Sequence, residues 1–226
     1  LVSQSFGNTT YIVNGSLNSA TMTLSSYGAT EGWGGHRATK AWYGLFGSLG
    51  TSTDDRAQLF WTAGHTYEMT DYKEWTNGYP SIKFRNSNFI GGTTPTSFSG
   101  TDFPLFRLAD AYLMYAECVV RGATGGSISQ AVDYVNAVRE RSNASIITAG
   151  DLTLNFLIDE RGRELNLEGH RRSDLIRFGM FTGGSYLWPW KGNALNGTSI
   201  PSTYKLFPIP VQALQANSNL TQNPGY

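Results

Sequence analysis

The sequence predicts a mainly α fold: a helical hairpin followed by shorter helices, with long irregular loops and a few short strands. Three observations point there. Apolar residues recur at helical spacing only after about residue 100, the first hundred residues show almost no sustained periodicity, and a Glu/Arg-rich, helix-forming run occupies Leu157 to Phe178. Twenty-six glycines in 226 residues, against a usual share of ~7%, mean many irregular turns.

Residues 1–100 read as a loop-rich segment with short helices or strands, part of the same domain as the helical region 101–226. Within it, Ser19 to Gly28 alternates weakly and suggests a short strand, Gly34 to Leu49 suggests one short helix, and Asp54 to Trp61 a strand or turn. Asp102 followed by Pro104 has the form of a helix start. Leu105, Leu108, Tyr112, Tyr115 and Val119 continue at helical spacing to Gly122, a natural C-cap. Ser127 or Ser129 would cap a second helix with Ala131, Val135 and Val138 as its apolar stripe. A third helix is expected from Thr153 to Leu167, ending at Gly169, and a fourth from Arg171 to Phe178. Gly179 to Tyr204 is a long loop, the prolines of Lys205 to Pro210 rule out a central strand, and Val211 to Ser218 makes a short last helix.

The Leu157–Phe178 run sets Glu160, Glu164 and Glu168 four apart, so one helix face carries three carboxylates, which is mildly unfavourable in isolation. Arginines at the three-residue spacings Glu160/Arg163, Arg161/Glu164 and Glu168/Arg171 offer compensation, and Leu157, Ile158, Leu165, Leu175 and Ile176 supply an apolar side. The run reads as a structural ion-pair network of Glu160, Arg161, Glu164, Glu168, Arg171, Arg172, Asp174 and Arg177.

The same run carries a resemblance. DERGREL and EGHRRSDLIRFG, then KLFPIP (Lys205 to Pro210) and the terminal LTQNPGY (Leu220 to Tyr226), resemble the C-terminal signature of the SusD/RagB family. DFPLFRLADAYLMYAE (Asp102 to Glu117), AVDYVNAVRERS (Ala131 to Ser142) and the weaker GYPSIKFRN (Gly78 to Asn86) resemble further family blocks in the right order. The resemblance implies a SusD-like fold whose helical hairpin is of tetratricopeptide type. It also implies a surface-exposed, lipid-anchored protein of the cell outer membrane that captures nutrients for a SusC-like TonB-dependent transporter. Family members are about twice this length, so the N-terminal half, with its lipid anchor, is expected to be absent from this chain.

Composition excludes other classes. Lys+Arg 17 against Asp+Glu 17 gives no net charge, which argues against nucleic-acid binding. No cofactor motif is present, and His36, His65 and His170 are too scattered for a metal site. Cys118, the single cysteine, is expected to be a small buried hydrophobe. Catalysis of glycoside hydrolysis would need two facing carboxylates, and Glu160/Glu164, Asp54/Asp55 and Glu68/Asp71 each have a structural explanation, so no catalytic residue is assigned.

Binding is the better case, because sugar C–H faces stack on aromatic rings while hydroxyl rims need short polar partners. Trp33 lies in a glycine-flanked stretch with His36 and Arg37 close by; Trp75 stands beside Asn77; Tyr186, Trp188 and Trp190 share one loop. These eight residues are the candidate ligand contacts, with Trp33 first, while Trp42 and Trp61 read as core. The expected ligand is an oligosaccharide. A peptide-binding member of the same family, a helical-repeat scaffold for protein partners and a glycoside hydrolase are the alternatives.

Overall fold

The computed structural model describes residues 2–3, 8–47, 50–87 and 96–226. It forms two compact units, Leu1–Arg171 and Arg172–Tyr226. Among the described residues of the first unit lie strands β1 (Val2–Ser3) and β2 (Phe103–Pro104), and helices α1 (Asn8–Gly15), α2 (Lys40–Tyr43), α3 (Leu108–Val120), α4 (Ile128–Glu140) and α5 (Leu154–Glu164). Helix α6 (Arg171–Arg177) starts at the division, and α7 (Val211–Ala216) belongs to the second unit.

The hairpin is where expected, but it starts later and buries a different face. The residues read as a helix start instead contribute β2, which pairs antiparallel with β1 in the register Val2–Pro104 and Ser3–Phe103. Helix α3 then begins after an extended Arg107. Its buried positions are Asp110, Leu113, Ala116 and Glu117, whereas Leu105 and Leu108 are exposed. Two buried polar residues hid this face from an apolar count. Cys118 lies on the exposed side of α3, correcting its expected burial: it shares a stripe with Leu108, Ala111 and Met114, all exposed. Gly122, at φ 87°, takes the left-handed conformation that closes the helix. In α4, Ser127 accepts a hydrogen bond at Oγ from the Gln130 amide, and Ala131, Val135 and Val138 face inward as read. Leu113, Val135 and Leu157 are fully buried in the core shared by α3, α4 and α5, each contributing about 1.5–3 kcal/mol by burial. Tyr112 stacks on Tyr134 across the hairpin, with ring centroids 4.2 Å apart.

The first hundred residues form two smaller cores. Val13, Leu17, Met22, Tyr27, Ala29 and Ile82 make one, with Trp61 and Trp75 packed against it. Ala38, Tyr43, Phe46, Ala57, Phe60 and Tyr79 make the other, with Trp42 beside it. Edge-to-face rings hold the second core: Tyr43 meets Phe60 at 5.1 Å and Tyr79 at 4.9 Å. The expected strand in Ser19–Gly28 is a 3-10 turn, Leu24–Tyr27, and Asp54–Trp61 holds another, Asp55–Leu59. In the expected Gly34–Leu49 helix only Lys40–Tyr43, extended by a 3-10 turn to Phe46, is helical; Ser48 and Leu49 lie outside the described residues. Helix α1 has no counterpart in the sequence reading, since its β-branched run Thr9, Thr10, Ile12 and Val13 disfavours a helix locally. Burial of Thr9, Thr10, Val13 and Asn14 overrides that preference.

In the second unit the signature residues tie the chain end down. Arg172 donates to the carbonyls of Tyr204 (2.7 Å) and Lys205 (3.1 Å), with its guanidinium 4.2 Å from the Phe207 ring centroid. Asn223 donates to the Phe207 carbonyl at 2.8 Å, and the Tyr226 hydroxyl to that of Leu206 at 2.8 Å. Asp174 and Arg177 pair at 2.8 Å. Among the described residues no helix is long and apolar enough to cross a membrane.

Candidate functional site

Two regions of the first unit concentrate polar side chains. The first is the Glu/Arg interior. Glu160 meets Arg139 at 2.6 Å, Arg163 at 2.8 Å and Arg56 at 2.9 Å. Glu164 meets Arg56 and Arg141, each at 2.8 Å, together with Arg107. Glu168 receives Lys83 and Arg107, and Arg161 reaches Asp110 at 2.8 Å.

Of the three expected spacings, Glu160/Arg163 forms an ion pair at 2.8 Å. Helix α5 stops at Glu164 and Leu167 turns left-handed at φ 58°, so Glu168 and Arg171 leave the common face. Arg171 donates to the Ile158 carbonyl at 2.7 Å. The cations that meet Glu164 and Glu168 come from Arg56, Lys83, Arg107 and Arg141, which no local pattern links to them. A cavity of about 390 Å³ lies here, lined by Arg56, Lys83, Arg107, Glu164, Asn166 and Glu168 among others. Burial pushes the Glu164 carboxyl up, but Arg107, Arg141 and Arg56 outweigh it and hold the group below the usual carboxylate range. Burial likewise lowers Lys83, only partly offset by Glu168.

The second region surrounds Trp33. The turn after α1 and the Trp33 loop are laced by backbone bonds: Trp33 donates to the Asn14 carbonyl at 2.8 Å, Gly34 to Leu17 at 2.7 Å and His36 to Gly15 at 2.6 Å. Close approach demands glycine at two points. A Cβ on Gly15 would stand 2.5 Å from Nδ1 and Cε1 of His36, and Gly34, at φ 62°, would press one 2.7 Å from the Asn18 amide. The loop thus presents Trp33 outward, 48% exposed, beside Tyr11, 60% exposed, with ring centroids 6.1 Å apart. Tyr11 also meets the His36 ring edge-on at 4.5 Å. Burial, reinforced by the Arg37 charge, lowers the His36 pKa below its ordinary value.

The other candidates make contacts within the protein. Arg37 donates to the carbonyls of Asn77 (2.8 Å), Gly35 (2.7 Å) and Tyr72, and its guanidinium lies 5.6 Å from the Trp75 ring centroid. Trp75 is half-buried between that cation and His65, whose ring it meets at 5.0 Å, and it donates to Thr21 Oγ1 at 3.3 Å. The Asn77 Oδ1 accepts from the Thr70 and Asp71 amides at 2.8 and 3.0 Å and from the Thr70 hydroxyl. These three side chains fasten the 66–78 loop.

In the second unit, Tyr186, Trp188 and Trp190 are half-buried around Lys191. Its ammonium donates to the Gly183 carbonyl at 2.9 Å and the Tyr186 carbonyl at 2.6 Å, 4.6 Å from the Trp188 ring centroid. The structure therefore brings Trp33 and His36 together with Tyr11, which the sequence reading did not single out. Its signal was faint: one tyrosine in a short segment not read as helical. Among the described residues, no group of three or more His, Cys, Asp or Glu side chains is placed to hold a metal ion.

Comparison with known proteins identifies the fold. Residues 51–226 match the model of the SusD family, and the chain belongs to that family. It is 43% identical over 177 residues to the starch-binding protein SusD of Bacteroides thetaiotaomicron, covering 76% of this chain and 31% of that protein. It superposes on a SusD superfamily protein from Parabacteroides distasonis with a TM-score of 0.63 at 26% identity, covering all of this chain and 49% of the other. The surface glycan-binding protein A of B. thetaiotaomicron, solved with laminarihexaose, shares the fold at a TM-score of 0.66 and 24% identity, covering 94% of this chain and 46% of that one. The chain thus spans under a third of the curated relative's length and about half that of the solved structures.

Proposed function

We propose that this protein binds extracellular oligosaccharides without cleaving them, at the outer-membrane surface, and passes them to a SusC-like TonB-dependent transporter. The observation that carries the reading is the exposed Tyr11–Trp33 pair beside His36, Tyr11 on helix α1 and Trp33 on the glycine-bearing loop. Two adjacent exposed rings, tilted 55° to each other, offer stacking surface to the C–H faces of sugar units. Similarity to a protein named for starch binding supports a glycan over a peptide. A non-catalytic role fits the state of the carboxylates. Glu164 is held below the usual range, the wrong direction for a general acid, and Glu160 is fully buried among arginines. Asp54 is tied to Arg56 at 2.7 Å, and Glu68 to Lys40 at 2.9 Å.

Calorimetric titration with maltoheptaose and laminarihexaose tests the reading. Binding is expected without release of product, and Trp33→Ala should weaken it about tenfold, as loss of an anchoring aromatic typically does. Unchanged affinity in Trp33→Ala would remove the platform. Peptide binding in place of glycan binding would replace the ligand class, and turnover abolished by one carboxylate substitution would overturn the non-catalytic role.

A further inference from the structure

Beside the Tyr11–Trp33 platform lies a cavity of about 440 Å³, lined by Tyr11, Ile12, Ser16, His36, Trp42 and Ser81 among others. Its size falls within the ~300–1,000 Å³ typical of small-ligand sites. Tyr11 and Gly35, both exposed, open it to the surface. Three buried polar atoms of its lining residues have no hydrogen-bond partner among the described residues: Ser16 Oγ, Ser81 Oγ and His36 Nδ1. Ser16 is 2% exposed and Ser81 3%.

Buried polar groups are normally satisfied, and each one that is not carries its full desolvation cost. Here three of them come from three separate segments: the turn after α1, the Trp33 loop and the segment after Tyr79. Local chain geometry cannot explain such convergence in one cavity. The His36 ring lies close to the Gly15 backbone, where a Cβ would stand 2.5 Å from Nδ1 and Cε1, and meets the Tyr11 ring edge-on at 4.5 Å.

The chemistry of the lining defines what would fill it. A serine hydroxyl both donates and accepts, and so, in its two tautomers, does an imidazole nitrogen. Sugar hydroxyls have the same double capacity. Ile12, Trp42 and Leu167 add an apolar wall for a C–H face. The one cation in the lining, Arg37, is occupied by the carbonyls of Asn77, Gly35 and Tyr72. The lowered pKa of His36 keeps that ring uncharged at neutral pH. No free charge therefore awaits a carboxylate or sulfate.

We infer that this cavity is a specificity pocket for one uncharged sugar unit, whose hydroxyls are read by Ser16, His36 and Ser81 while the neighbouring unit stacks on Tyr11 and Trp33. The inference rests on the glycan-binding reading above.

The test compares the parent, Trp33→Ala and the double variant Ser16→Ala/Ser81→Ala by calorimetry against maltoheptaose, laminarihexaose and trigalacturonate, with melting followed in parallel. The double variant is expected to melt no lower than the parent, because it removes two unsatisfied buried hydroxyls. It should bind the preferred neutral glycan at least about tenfold more weakly, roughly the loss of two neutral hydrogen bonds. Trigalacturonate should bind more weakly than the neutral probes. If the double variant fails to fold, each single variant gives the same test at about threefold.

Parental affinity in Ser16→Ala/Ser81→Ala, with Trp33→Ala impaired, overturns the pocket and leaves the platform standing; the cavity is then a hydration site only. A preference for trigalacturonate overturns the uncharged ligand. No binding of either neutral glycan, or no effect of Trp33→Ala, removes the platform and the pocket together.

Discussion

The Glu/Arg interior and the Trp33 surface lie in one compact unit and use polar side chains freely, but the first pairs charge with charge and the second does not. In the interior, Glu160 and Glu164 each meet three arginines and Glu168 a lysine and an arginine. Around Trp33, two serine hydroxyls and an imidazole nitrogen stand buried without hydrogen-bond partners among the described residues, under two exposed rings. Saturated charge makes a frame, because a ligand entering there would have to break ion pairs before forming any contact. Unsaturated polarity makes a site, because the desolvation cost already carried by the folded chain is relieved when a ligand arrives. What distinguishes the two regions is thus whether charges have met opposite charges; hydrogen bonding is incomplete in both, since Glu160 Oε1 and Asn166 Oδ1 of the interior also lack a hydrogen-bond partner among the described residues.

The sharpest way to break the comparison is to unbalance the frame. Glu164→Ala should cost up to about 3 kcal/mol, the low end for a broken buried pair, since Arg56, Arg107 and Arg141 each lose one counter-charge while Arg56 keeps Asp54 and Glu160 and Arg107 keeps Glu168. A clear fall in melting temperature, with glycan affinity per folded molecule unchanged, is the expected outcome. Normal melting with lost binding would move this interior into the site. Acid should act in the same direction more gently. The folded state holds Glu164 below its ordinary carboxylate value of 4.5, so the unfolded chain binds more protons and stability rises with pH. That contribution is complete above pH 4.5 and is lost as pH falls through the depressed folded value. Melting curves from pH 7 to pH 3 should show the loss, and Glu164→Gln should flatten it.

The fold and the frame were readable from sequence to different depths. The apolar stripe of Ala131, Val135 and Val138 and the Ser127 cap obey local rules, and α4 follows them. In α3 the same rules selected Leu105 and Leu108, yet the true inner face includes Asp110 and Glu117: Asp110 meets a distant cation, Arg161, while Glu117 pairs locally with Arg121 four residues on. The Glu/Arg run announced an ion-pair network, but its partners Arg56, Lys83 and Arg107 are 108, 85 and 61 residues distant from the carboxylates they meet. Sequence spacing cannot encode such pairs. For the candidate site, glycines beside Trp33 pointed to an outward ring, because they signal close backbone approach. The pocket beside it was invisible: Ser16 and Ser81 are ordinary serines until the fold sets them in one cavity.

Two tryptophans that look alike in sequence sharpen the contrast at its small end. Both Trp33 and Trp75 sit among polar and glycine residues, and both were candidate contacts. Trp75 is wedged between Arg37 and His65 and packed against a core that includes Val13 and Leu17. Trp75→Ala should therefore cost stability, somewhat below the ~3–5 kcal/mol of a fully buried tryptophan because the ring is only half-buried. Any loss of binding in that variant should track the loss of the 66–78 loop. Trp33, with nearly half its surface open at 48%, supports no such packing. Trp33→Ala should stay within about ±0.5 kcal/mol of the parent, as surface changes do, while affinity for a neutral glycan drops. Thermal melts and titrations of the two variants side by side decide the matter. If Trp33→Ala melts as low as Trp75→Ala, its ring is structural, and the distinction between a saturated frame and an open site fails at its most exposed residue.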